Sequence, residues 1–154
     1  MRDVNGRPPA NRMRAMNWGR IYDLRSDTSR VAQMQDASQN KPGLGLSAKP
    51  ALVGSEEWWS MVDDGRLAQH ELVGTIAQVY WGGTDDQPAF QLTTANGDSS
   101  RWFTEGDPRR YLQGLKARLR YVLQPWKQPN RYGFEGSQRL VLSVDLEVRL
   151  LRAG

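Results

Sequence analysis

From Lys116 to Leu150 the chain alternates between apolar and polar positions more regularly than anywhere else. Leu119, Tyr121 and Leu123 alternate with Arg118, Arg120 and Val122. After an interruption, Leu140, Leu142, Val144, Leu146, Val148 and Leu150 form an apolar row at period two, with Val141, Ser143, Asp145, Glu147 and Arg149 between them. Successive side chains of a strand point to opposite faces, so this pattern predicts two strands buried on one side. At 100° per residue the same six apolar positions would scatter around a helix, which excludes the helical alternative. The segment joining the two runs is rich in Pro and Gly and carries Trp126, Lys127, Arg131, Tyr132 and Phe134.

Shorter patterns precede this pair. Glu71 to Trp81 predicts a strand with Gly74 inside it, a position that often marks a bulge or a sharp bend. Ala89 to Thr94 and Ser99 to Thr104 predict two more, joined through Asn96-Gly97, a strong hairpin signal. Asp107-Pro108 predicts the start of a short helix, because Asp caps and Pro suits the first helical position. Ser55 followed by Glu56 and Glu57 predicts a helix over 55–65, with Trp58, Met61 and Val62 on one face and Gly65 as its stop. Residues 1–54 show sparse, aperiodic apolar positions and read as an irregular basic arm and linker, with a possible helix over Thr28 to Ser38. Trp18, Ile21, Tyr22 and Leu24 form a small apolar patch within it. The expected organisation is an arm over 1–54 and a β-domain over 55–154.

Three strands, a short helix and two further strands, with a glycine inside the first and a long last strand, resemble the OB-fold. The expected fold is therefore mainly β, a small five-stranded OB-like barrel with a helix between strands three and four. A short helix and the irregular arm would precede it. The resemblance implies single-stranded DNA or RNA binding on strands two and three and on the connecting loops. Carried onto this chain, it marks Arg101, Trp102, Arg118, Arg120, Trp126, Lys127, Arg131, Tyr132 and Phe134 as the nucleic-acid contacts. Aromatic faces stack bases and cations neutralise phosphates. Asp85 and Asp86 would repel a phosphate backbone, so a bound strand is expected to run away from that turn.

Charge sharpens this expectation. The net charge of +4 conceals a basic first third, an acidic middle over residues 55–106 and a basic last third, a mild pointer to a polyanion. The chain has no cysteine and one histidine, His70. Thiol chemistry and Cys-based metal sites are excluded, and no phosphate loop, carboxylate pair or nucleophile motif is present. A non-catalytic protein without cofactor or metal is expected. No apolar run approaches the roughly 18 residues that span a bilayer, and the cysteine-free composition fits a cytoplasmic location. The alternative is a protein-interaction adaptor or inhibitor, of the kind a phage or mobile element carries. In that reading Trp18, Ile21 and Tyr22 of the arm, or Trp58 and Trp59, dock a protein partner.

Overall fold

Both edges of strand β6 (Ser137–Glu147) are in use, and this strand sets the architecture. On one side it pairs antiparallel with β5 (Lys116–Pro125), on the other with β1 (Trp18–Asp23). The computed structural model describes residues 17–81, 87–128 and 136–149. Within them the remaining strands are β2 (His70–Tyr80), β3 (Ala89–Thr94) and β4 (Ser99–Phe103). Two helices, α1 (Thr28–Asn40) and α2 (Glu56–Asp63), complete the fold. The six strands form one antiparallel sheet in the order β1-β6-β5-β2-β3-β4.

The expected five-stranded barrel is corrected in two respects. There is a sixth strand, and the sheet stays open between β4 and β6, with no backbone ladder joining them among the described residues. β1 covers the Ser143 to Glu147 stretch of the β6 edge, leaving only the first half of β6 to face β4. The sheet nevertheless curls. Trp102 of β4 meets Tyr121 of β5 with ring centroids 5.0 Å apart, although two strands separate them in the sheet order.

The irregular reading of the arm is also corrected. β1, α1 and the segment after it supply Tyr22, Leu24, Leu46, Ala51 and Val53 to the same core as Ile76, Phe90, Leu119 and Val144. In β1 the register shifts between Arg20 and Tyr22. That bulge turns Arg20 toward Asp145 on one face while Tyr22, opposite Val144, enters the core on the other. Asp27 caps α1 by accepting from the Arg30 amide at 3.3 Å.

β6 departs from its simple apolar row. Tyr121 lies opposite Val141 and Arg120 opposite Ser143, so Leu142 is an extra, bulged residue. Leu140 consequently faces Val122 and Val144 faces Leu119, residues three apart on β5 and on opposite sides of it. Buried side chains from Leu140 to Leu146 follow, because both faces are covered. The short helix expected from Asp107-Pro108 is a single 3-10 turn, Pro108–Arg110. Tyr111 leaves it to enter the core, where its hydroxyl donates to the Glu105 carbonyl at 2.7 Å. Gly74 marks a close approach: a Cβ there would lie 2.6 Å from the Thr93 carbonyl oxygen.

Candidate functional site

Most of the side chains singled out from sequence are already occupied within the fold. Arg118 pairs with Asp145 (2.9 Å) and lies over the Trp18 ring at 5.0 Å. Arg20 pairs with the same carboxylate at 2.5 Å. Asp145 is buried, which alone would push its carboxyl up. Hydrogen bonds and charge from Arg20 and Arg118 outweigh burial and hold it below the ordinary carboxylate range. Trp18, Arg118, Asp145 and Arg20 thus form one clasp across β5, β6 and β1. Arg120 pairs with Glu71 of β2 at 3.2 Å.

Lys127 reaches back to α1, donating to the Ala37 and Lys41 carbonyls at 3.0 Å each. An ammonium at a helix C-terminus satisfies orphan carbonyls and complements the dipole. Trp126 is half-buried against the core, forms a β-bridge with Leu46 and donates its backbone N–H to Gly136. Arg131, Tyr132 and Phe134, like Asp85, Asp86 and Leu150, lie outside the described residues. Of the docking set, Tyr22 is buried with its hydroxyl donating to Asp27 at 3.0 Å, and Trp58 is fully buried with its Nε1 donating to Gln124 at 3.1 Å. Ile21 is half-buried against the core. Trp59 is half-buried at the α2 surface, edge-on to Trp58, with Arg25 over its ring at 4.3 Å and tied to Asp63 at 2.7 Å.

The open seam between β4 and β6 is different. Trp102 forms its wall, buried and donating to Ser100 at 2.8 Å. Arg139 lies flat over Trp102, 3.8 Å from the ring centroid, and donates to the Arg101 carbonyl at 2.8 Å. Arg101 reaches over Tyr80 at 5.4 Å. Neither Arg101 nor Arg139 meets a carboxylate among the described residues. Phe103 beside them is 54% exposed. Deeper in the seam, Arg30 of α1 pairs with buried Glu105. Burial pushes the Glu105 carboxyl up, and the single Arg30 charge offsets this only in part. A cavity of about 370 Å³ opens here, and a second of about 590 Å³ follows toward the Asn96-Gly97 turn; Trp102 and Arg139 line both.

Sequence reading brought Arg101 and Trp102 to this place and missed Arg139, Arg30 and Glu105. Arg139 had a visible signal, being a cation where the apolar alternation of β6 begins. Arg30 and Glu105 meet across 75 positions and had none. Among the described residues no group of three or more His, Cys, Asp or Glu could hold a metal ion. No helix among them is long and apolar enough to cross a membrane.

Over residues 19–148 the sequence matches the model of a family described as Immunity protein RhsI2. The chain belongs to this family. The RhsI2 match begins inside β1 and ends one residue past β6, so it includes the helix that sequence pattern had placed over Thr28 to Ser38 and the strand before it that the pattern had left irregular. No curated protein matches the chain. Membership in the RhsI2 family overturns the single-stranded nucleic-acid reading, since the family is one of immunity proteins. The structure gives a physical reason for the misreading. Arg118, Arg120 and Lys127, three of the cations taken as phosphate contacts, are engaged within the fold by Asp145, Glu71 and the carbonyls at the end of α1.

Proposed function

We propose that this protein is the immunity partner of an Rhs toxin, a non-catalytic inhibitor that binds its cognate toxin and blocks it. The observation that carries the reading is the RhsI2 immunity-family match across all six strands. It favours the protein-interaction alternative over nucleic-acid binding. The surface is compatible with a protein partner: exposed aromatic side chains and arginines are the composition that concentrates binding energy at interfaces. In this reading β2 to β6 are an OB-like sheet laid open along β4 and β6, serving as a scaffold for recognition, and protection takes place in the cytoplasm.

Co-expression tests the proposal directly. Cells producing the cognate Rhs toxin are expected to survive when this chain is present. The purified proteins are expected to co-elute as a complex in which the toxin's activity is lost. Cell death at matched toxin levels, with this chain present and folded, would overturn the proposal.

A further inference from the structure

We infer that the seam between β4 and β6 is the toxin-docking surface, and that it takes an extended, carboxylate-bearing segment of the partner. The inference rests on the immunity reading above and specifies where and how recognition occurs. Four observations converge on it.

β4 is an edge strand of the sheet. The two cavities beside it share Trp102 and Arg139 in their walls and between them touch all five of its residues, so they follow one another along the strand as a groove that the Arg139 side chain bridges. A five-residue strand is about 17 Å long at roughly 3.3 Å per residue, so the groove suits an extended segment better than a helix or a single inserted side chain.

At one end of the groove Arg30, Arg101 and Arg139 outnumber the one carboxylate that lines it, Glu105, which Arg30 already pairs. Arg101 and Arg139 have no carboxylate partner among the described residues, a condition they share only with Arg110 of the 3-10 turn, whereas Arg20, Arg25, Arg30, Arg66, Arg109, Arg118, Arg120 and Arg149 each have one. Arg139 is also held in place. Its contact with the Trp102 ring and its bond to the Arg101 carbonyl hold the guanidinium in place, and its other N–H donors have no partner among the described residues. A fixed planar fork is suited to a carboxylate and loses little freedom on binding. Asp98 lines the opposite end of the groove, which sets the polarity: the partner's carboxylate belongs at the Arg101–Arg139 end.

Apolar contact is available at the same place. Phe103 is more than half exposed beside Arg101, and Tyr80 stands on the same row of the sheet through Ala89. Aromatic and Arg side chains with a polar surround are the usual anchors of a protein interface. The acidic surface of α2, with Trp59, is the competing face, but its Arg25 and Asp63 already satisfy each other.

The test uses the full chain and the purified cognate Rhs toxin. Calorimetric titration is expected to show Arg101→Glu weakening binding about 10-fold and the Arg101→Glu/Arg139→Glu pair about 100-fold or more. Arg109→Glu, a charge reversal beyond the groove, is expected to change it less than about 2-fold. Arg139→Lys keeps the charge but loses the planar stack, and an intermediate loss is expected. Because the double variant disturbs the Trp102 contact, a hydrogen-exchange footprint on the unmutated protein gives a second reading: complex formation should protect β4 amides more than those of α2. Unchanged affinity in the folded double variant, or protection centred on α2, refutes docking in the seam while leaving the immunity reading standing. Concentration-dependent self-association abolished by Arg101→Glu would make a second copy the occupant and also refute it. Failure of the unmutated protein to bind toxin at all removes the immunity reading itself.

Discussion

Two buried carboxylates mark the two sides of this sheet, and they are treated oppositely. At the β1–β6–β5 side, Asp145 is clasped by Arg20 and Arg118 and held below its ordinary range. At the β4–β6 seam, Glu105 has Arg30 alone, and burial prevails over it. Two guanidinium groups compensate a buried charge, and one does not, although all three reach in from a partly wet surface. Nearby, Arg101 and Arg139 have no carboxylate partner among the described residues. The clasped side stabilises the fold, and the inferred docking in the seam would draw on the charge left there.

The comparison can be broken most forcefully at the closed side. Trp58→Ala should cost about 3–5 kcal/mol, since it removes a fully buried indole and its bond to Gln124. Urea unfolding measures this, and a loss below about 1 kcal/mol would deny α2 its structural role. Asp145→Asn should cost about 2 kcal/mol. That is less than the roughly 3–5 kcal/mol of a fully buried pair, because Arg20 and part of Arg118 remain in water. The same clasp predicts acid sensitivity. The unfolded Asp titrates near about 3.9 and the folded one lower, so the contribution is present above about pH 4 and lost as pH falls through the folded value.

Glu105 should show the reverse sign. Its folded value lies above the unfolded one, so the stability of the neutral acid is present below about pH 4.3 and is lost as pH rises through the folded value. Glu105→Gln should therefore remove a downward slope in stability above about pH 4 and leave the protein at least as stable at pH 7. A stability curve in urea at several pH values decides this, and a large loss at neutral pH would mean the Arg30 pair is net stabilising. Smallest of all, Arg101→Ala should move stability by no more than about 0.5 kcal/mol, because the side chain is exposed and no carboxylate among the described residues depends on it. A thermal melt checks it, and a larger drop would make Arg101 a structural residue and weaken the contrast between the two sides.

β2 to β6 were legible from sequence because each carries local alternation or a turn signal that two neighbouring strands share. β1 was not. Its six residues contain a bulge at Ile21, so Arg20 and Tyr22, which alternation would place on one face, point to opposite ones. The short helix at Ser55 was legible from its cap, and the Trp58 amide does donate to the Ser55 hydroxyl at 3.1 Å. The candidate site was legible only in part. Composition pointed to Arg118, Arg120 and Lys127, but whether a cation is free depends on partners far along the chain: Asp145, Glu71, and carbonyls 86 and 90 positions away. Arg139 entered no reading, because its importance comes from Trp102 across the seam rather than from its neighbours in sequence.

The bulge at Leu142 has a consequence for how such a protein tolerates change in length. Upstream of it, β6 offers Leu140 to one side of the sheet; downstream, it offers Val144 to the other. Leu142 has no partner on β5, so deleting it would restore one-to-one pairing and leave Leu140 and Asp145 facing as they do now. A one-residue deletion that the bulge does not absorb would instead turn every position on one flank to the other face, so length variation within β6 of relatives should be confined to the bulge.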